Sequence, residues 1–545
     1  MAEKKTYEVL AEVFKREGVT TCFALYGDGN MDWGTTLADL GTNMFYVRHE
    51  HAAVAAACSY ARKTGDVGVA TVTCGPGLSQ LMTALPAAVR ADLPLVVFAG
   101  EAPIKSSWYN QLIDQAPLVT ATGAVYRQLH YIPRMADQVR DAFLEARMDR
   151  KPVVIGVPLD LQEEAWTGPA TLPVPSTELV PKVGPMPPNP DDIARAAEKI
   201  RAARRIVIVG GMGAVAAGAG PACRRLAGRC DAMLATTLPS RGLFHDDPFS
   251  IGIAGGYSSA AARELLDEAD LVIGVGAIMA SHTSEHGKLF KKAHVLHVDT
   301  KPITVSQGRV AVQSHVRGDA RLSVEALAEA VQPRSADWRS DSVKQRLRDT
   351  SNDTDPFQVA PGTHHPRDAV AALDKSLPLE WQVVNGAGQG GYFYSYMPRR
   401  PQEKFLTIRE FGAVGNGTSY AIGVAAARPD DTVVLIEGDG GLMMHLQEIE
   451  TIKRHCLNML ICVFNDGAYG SEIHKLRLKG MSDRGAVFGR PDFAAIAQGF
   501  GIGGARVDDL AKLPQMISDF NKTGGFAIWD FPISDQVMLP SLRKR

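Results

Sequence analysis

The sequence predicts an α/β protein built of three doubly wound parallel-sheet domains, and three observations lead there. Short β-branched runs alternate with helical periods along the whole chain, the pattern of parallel strands joined by crossover helices. Two stretches interrupt it: 167–191 is crowded with prolines, and 332–366 is polar, charged and proline-interrupted. The length of 545 residues exceeds what one core ordinarily organises. Taking the interruptions as linkers leaves domains at 1–166, 192–331 and 367–545.

In the first domain, residues 21–26, 67–72, 93–98 and 153–156 read as strands and 52–63 as an alanine-rich helix. In the middle domain the strands are 206–209, 271–274 and 295–298; the glycine cluster 210–213 that follows the first of them reads as a tight turn rather than a dinucleotide site. In the third domain a strand ends at Val383-Val384. Helix 418–427, strand 433–436, helix 442–453 and strand 457–464 follow.

Apolar residues make up 45% and charged residues 22%, the balance of a soluble globular protein. With 58 basic against 60 acidic side chains, the chain has no electrostatic footprint for nucleic acid or an anionic membrane. Small molecules and other copies of the chain are the expected partners. The seven cysteines are scattered without a C-x-x-C pair, so buried free thiols in a reducing compartment are expected. Together with an N-terminus lacking an apolar signal core, this predicts a cytoplasmic protein.

Ligands of open parallel sheets bind outside the carboxyl ends of the strands. There stands Gly438-Asp439-Gly440, followed one strand later by Asn465-Asp466. Alone, Gly-Asp-Gly is an ordinary turn. Paired with the second strand end, it offers Asp439 and Asp466 as oxygen ligands for a hard cation. Gly440 and Gly441 let the backbone approach a phosphate, at the positive end of a helix that opens at Leu442.

This pattern resembles the thiamine diphosphate signature, departing from it at Asp466, where the signature has a second Asn. Three further segments extend the resemblance over nearly the whole chain: Tyr26-Gly27-Asp28-Gly29-Asn30, Val47-Arg48-His49-Glu50-His51-Ala52-Ala53 and Gly75-Pro76-Gly77. They are similar to the pyrimidine-binding domain of thiamine diphosphate enzymes, in the branch of acetolactate synthase, benzaldehyde lyase and the 2-oxo acid decarboxylases. The resemblance implies Mg2+ held by Asp439, Asp466 and the backbone of Ala468. It implies cofactor contacts at Gly75, Pro76, Gly77, Gly438, Gly440, Gly441, Leu442, Asn465 and Tyr469, with a second phosphate loop at Gly388 and Gln389. Glu50, locally no more than a helix N-terminal acid, becomes the acid that activates the cofactor. In Phe411-Gly412-Ala413-Val414, Val414 becomes the wedge that bends it, smaller than the family's usual residue, and Gly412 a partner of its aminopyrimidine. Ala277-Ile278-Met279-Ala280 replaces the arginine-bearing segment of acetolactate synthases, which argues against FAD. A homodimer is the minimum assembly implied, and a tetramer is expected.

The substrate side fits no subfamily fully. Asp28 and Glu472 resemble the acids of aldehyde-releasing decarboxylases, although a turn cap and a solvated helix acid are the competing readings. Asn110 and Gln111 lie in a loop closer to those of benzaldehyde lyase and acetolactate synthase, as neutral donors for a second carbonyl. His282, with His286 nearby, occupies a loop from which benzoylformate decarboxylase sends in a histidine. Lys475 and Arg477 could bind a carboxylate, or form an exposed helix face. The expected activity is 2-oxo acid decarboxylation with carboligation, acetolactate synthase-like. The alternatives are an aldehyde-releasing decarboxylase, a lyase acting on a 2-hydroxyketone, and a catalytically silent cofactor-binding relative.

Overall fold

The computed structural model describes residues 4–349, 357–389, 397–539 and 542; parts of the 332–366 linker and of the third domain therefore lie outside the described residues. Three six-stranded parallel sheets carry the chain. The first contains β1 (Thr21–Ala24), β2 (Asn43–Tyr46), β3 (Gly68–Val72), β4 (Leu95–Glu101), β5 (Val125–Gln128) and β6 (Pro152–Pro158), in the order β2-β1-β3-β4-β6-β5. The second contains β7 (Ile206–Gly210), β8 (Met233–Thr236), β9 (Ser250–Ile253), β10 (Leu271–Val275) and β11 (His294–Asp299). A small antiparallel pair, β12 (Val305–Ser306) and β13 (Arg309–Val310), precedes its last strand, β14 (Ser314–Arg317). Its order, β14-β11-β10-β7-β8-β9, is that of the dinucleotide-binding doubly wound fold.

The third sheet is formed by β15 (Gln382–Asn385), β16 (Phe405–Leu406), β17 (Val433–Gly438), β18 (Met459–Asn465), β19 (Gly503–Arg506) and β20 (Phe526–Pro532). Its order, β16-β15-β17-β18-β20-β19, repeats that of the first sheet position for position. In both, the strand order reverses between the first and third strands in sequence. Such a switch point leaves a crevice at the carboxyl ends, because the flanking connections leave on opposite faces. Gly386–Gln389 and Gly438–Leu442 border the crevice of the third sheet, and the 25–30 and 73–77 loops that of the first.

The helices Glu50–Thr64 and Gly417–Ala427 join these two sheets. Both are alanine-rich and buried along almost their whole length. A Cβ on Gly423 would come within 2.0 Å of the Ala56 carbonyl oxygen, so only glycine permits this approach. Around the pair a single core takes Val72 and Val97 from the first sheet and Val433, Leu435 and Ile461 from the third. The middle sheet has cores of its own. Six cysteines are buried and Cys456 is exposed, with no disulfide. Among the described residues no helix is long and apolar enough to cross a membrane.

One predicted element is corrected. The helix expected over 442–453 is two helices, Asp439–Met444 and Glu448–Arg454. Tertiary contacts override the helical period there. The His445 ring stacks on His51 at 4.9 Å and meets His49 edge-on at 5.6 Å. Glu448 turns to accept hydrogen bonds from the Arg48 N–H at 3.1 and 3.2 Å.

These contacts make domain packing sensitive to pH. Burial, followed by the nearby His51 and His49, pushes His445 down to about 4 from its ordinary 6.5. Its contribution to stability is complete above about 6.5 and is lost as pH falls toward 4, because the unfolded chain takes up the proton first. Burial pushes Glu448 up to about 7, so its contribution runs the other way and is lost as pH rises through 7. Urea unfolding of the native chain and His445→Gln separates them. Between pH 7.5 and pH 5 the native chain should lose about 2 kcal/mol relative to the variant; parallel pH profiles would refute this account.

Candidate active site

At the third sheet's crevice two carboxylates are buried side by side. Asp439 Oδ1 accepts the Gly440 N–H at 2.7 Å and its Oδ2 the Gly467 N–H at 2.7 Å. Asp466 Oδ1 accepts the Ala468 N–H at 3.3 Å. Burial pushes Asp439 up to about 6, although the backbone N–H groups oppose it. Asp466 is raised well above the ordinary carboxylate range, first by burial and then by the charge of Asp439. A divalent cation between them would relieve both penalties. Among the described residues no third His, Cys, Asp or Glu joins such a group. A cation held here would therefore complete its shell from backbone carbonyls such as Ala468 and from ligand oxygens.

Glycines keep the space around the pair open. A Cβ on Gly470 would fall 2.3 Å from Asp466 Oδ2, and one on Gly440 2.7 Å from the Tyr469 ring. Gly441 and Leu442 are buried in the first turn of the helix that follows Gly438. Gln389 is buried beside Gly470, and Gly388 has a φ of +96°. The side chain of Asn465 turns toward β20 and its flank, donating to Asp530 Oδ1 at 3.1 Å and to the Pro491 carbonyl at 2.9 Å. Gly412 has a φ of +74°, and Val414 is 38% exposed in the loop before helix Gly417–Ala427.

Sequence reasoning missed Glu437, the last residue before the signature, which is 1% exposed. A Cβ would lie 2.0 Å from its carboxyl oxygens on Gly386, 2.0 Å on Gly417 and 2.5 Å on Gly441. The connections after β15, β16 and β17 thus close on one carboxyl group, two of them through the first turns of helices, and its Oε1 accepts the Gly438 N–H at 3.1 Å. Burial pushes Glu437 up to about 8, with Arg409 acting against it. The local signal was an acid ending an apolar strand; the convergence that buries it is not visible from one segment.

The first sheet's crevice gathers most of the remaining candidates. Glu50 opens helix Glu50–Thr64, and its Oε1 lies 3.5 Å from the point a Cβ on Gly77 would occupy. Gly75, with a φ of +56°, lies against Gln111, whose carbonyl oxygen a Cβ would meet at 2.2 Å; Pro76 begins the short helix beyond it. Gly75 N–H donates to Gln115 Oε1 at 2.9 Å, and the Cys74 thiol to Gln111 Oε1 at 3.3 Å. Burial raises both Cys74 and Tyr109, and the charge of the exposed Asp28 adds a smaller push in the same direction. Asn110 is exposed on the same loop as Gln111.

His282, after β10, borders a cavity of about 330 Å3 together with Gly388. Glu472 does not line that cavity. It is exposed on its helix and pairs with Lys475 at 3.0 Å. Arg477 is held by Asp483 at 2.7 Å and Asp535 at 3.0 Å. Among the described residues, no hydrogen bond or ion pair joins Glu50, Asp28 or Gln111 to the Asp439–Asp466 pair. The starts of the two buried helices are joined instead at His51 Nε2 and Asn416 Oδ1, 2.7 Å apart.

Curated relatives align over nearly the whole chain. The acetolactate synthase large subunit of Parasynechococcus marenigrum (strain WH8102) is 29% identical over 524 residues, covering 92% of this chain and 83% of that protein. Chloroplastic acetolactate synthase 2 of Zea mays is 28% identical, covering 99% and 87%. The isozyme 2 large subunit of Escherichia coli (strain K12) is also 28% identical, covering 91% and 90%. Family models match each part in order: the thiamine pyrophosphate enzyme N-terminal TPP binding domain over 4–118, the central domain over 193–327 and the C-terminal TPP binding domain over 386–531. With both crevices falling inside the two TPP-binding matches, the chain belongs to the thiamine pyrophosphate enzymes.

Proposed function

We propose that this enzyme uses thiamine diphosphate and Mg2+ to decarboxylate a 2-oxo acid and to join the remaining acyl unit to a second carbonyl compound, in the manner of acetolactate synthase. The observation that carries the reading is the buried Asp439–Asp466 pair at a switch point, with the glycines of two phosphate-approachable loops around it. On this reading the three domains keep the limits 1–166, 192–331 and 367–545. Asp439, Asp466 and the Ala468 carbonyl hold Mg2+. Gly388, Gln389, Gly438, Gly440, Gly441 and Leu442 face the diphosphate, Gly412 and Val414 the pyrimidine ring.

When bound, thiamine diphosphate supplies a nucleophilic carbon that adds to the carbonyl and takes up the electrons released with carbon dioxide. Glu50, half-buried at the start of its helix, would hydrogen-bond the pyrimidine N1′ and pass a proton at that atom. Val414 would serve as the apolar wedge against the cofactor. Asp28 moves a proton at the substrate oxygen, Gln111 and Asn110 orient the second carbonyl, and His282 serves the cavity it borders, whereas Glu472 would act only on release from its pair with Lys475. The homodimer implied by the family resemblance would pair Glu50 of one copy with Asp439 of the other; among the described residues no hydrogen bond or ion pair joins the two within one chain. Two such dimers would form the tetramer.

The reading is tested by a panel of 2-oxo acids, each with and without an aldehyde acceptor, followed by carbon dioxide and product analysis. Glu50→Gln should lower turnover about 10²–10⁴-fold with the cofactor still bound. Undiminished turnover in that variant would exclude the assigned role.

Calorimetric titration tests the metal site. A cation must displace the proton raised on the Asp439–Asp466 pair, so Mg2+ affinity should fall as pH drops through 6, by about tenfold per unit for each proton displaced. Asp466→Asn removes one titrating carboxylate and should flatten that slope; an unchanged slope would separate Asp466 from the metal.

Glu437 is assigned a positioning role behind the same loops. Glu437→Ala should weaken thiamine diphosphate binding about 10–100-fold, as loss of a supporting group does, while the isosteric Glu437→Gln should keep it. Equal affinities in the two variants would remove that role.

A further inference from the structure

The cavity beside His282 lies between the middle domain and the third sheet, and its charge is one-sided. At about 330 Å3 it falls at the small end of ligand pockets. Arg409 and Lys288 line it together with Lys475, which is paired with Glu472, and with the imidazoles of His282 and His286, against the single acid Glu285. Glu285 is already spent, held by the Arg263 guanidinium through both of its oxygens. Neither Arg409 nor Lys288 forms a salt bridge among the described residues. Arg409 is fixed in place by two neutral acceptors, the Tyr257 hydroxyl at 2.8 Å and the Gly388 carbonyl at 3.3 Å. That geometry orients a guanidinium without neutralising it. Tyr257, Leu539 and Leu542 supply the apolar part of the wall.

A pocket with an oriented guanidinium, a nearby lysine, an apolar wall and no uncommitted acid suits a short chain ending in an anion. Gly388 and Ser471 connect it to the proposed cofactor site, Ser471 through Gly470, which abuts Asp466. We propose that the cavity receives the distal carboxylate of a dicarboxylic 2-oxo acid, so that the enzyme selects a diacid over the monoacid of equal length. This deepens the reading above and rests on it for the reacting end of the substrate.

The test compares 2-oxopentanedioate with 2-oxopentanoate on the enzyme loaded with thiamine diphosphate and Mg2+, native and as Lys288→Met and Lys288→Arg. Lys288 lies on the middle domain, and among the described residues no hydrogen bond or ion pair joins its side chain to a residue assigned to the cofactor. The native enzyme should prefer the diacid at least about tenfold in kcat/KM, the scale of one charged hydrogen bond. Lys288→Met should raise KM for the diacid by a similar factor with kcat and the monoacid unchanged, and Lys288→Arg should restore it. Equal use of both acids, or a Lys288→Met variant that instead loses thiamine diphosphate affinity, would overturn the proposal. If neither acid reacts, the decarboxylase reading fails, and calorimetry with unreactive pentanedioate decides the cavity separately. Binding that Lys288→Met abolishes sustains it, and absence of binding ends it.

Discussion

Everything at the two crevices depends on how closely the helices Glu50–Thr64 and Gly417–Ala427 approach each other. Their contact is made by alanines and by Gly423, whose missing Cβ allows backbone to meet backbone. Small side chains bury little area each, but they bring two sheets into one core and leave no slack between them. Each helix starts at a strand-end loop that matters. One opens with Glu50, and the other follows the segment holding Gly412 and Val414. A wider spacing would separate those starts, and no side-chain adjustment at the crevice could recover the loss.

Much of this was legible in the sequence because the decisive strands are central, apolar and bounded by glycine. Residues 433–436 and 206–209 announce themselves, and the signature at Gly438-Asp439-Gly440 combines composition with position at a strand end. Edge strands such as Phe405–Leu406 and Gly503–Arg506 are short or glycine-rich, and their pairing is decided by neighbours far along the chain. The break at His445 was hidden for a similar reason: the period of 442–453 is helical, and it is stopped by contacts of His445 and Glu448 with the 48–51 segment.

The site residues divide along the same line. Asp439 and Asp466 could be named from spacing, yet their mutual burial is a property of the folded sheet. The amide of Asn465 stands beside them in sequence and turns away to Asp530. Glu437 and the cavity beside His282 needed three loops and two domains, respectively, to be assembled before either had a meaning. Local chemistry is written in segments, whereas burial and cavity shape arise between them.

The strand order shared by the first and third sheets has a thermodynamic consequence. Two crevices of one design are tied at their helix starts by His51 and Asn416, so order imposed on one is felt at the other. Such linkage is reciprocal: by whatever factor a ligand at the aspartate end favours the arrangement around Glu50, a ligand at the glutamate end strengthens holding at the aspartates. In the proposed homodimer, where each site joins the glutamate crevice of one copy to the aspartate crevice of the other, this linkage couples the two sites to each other.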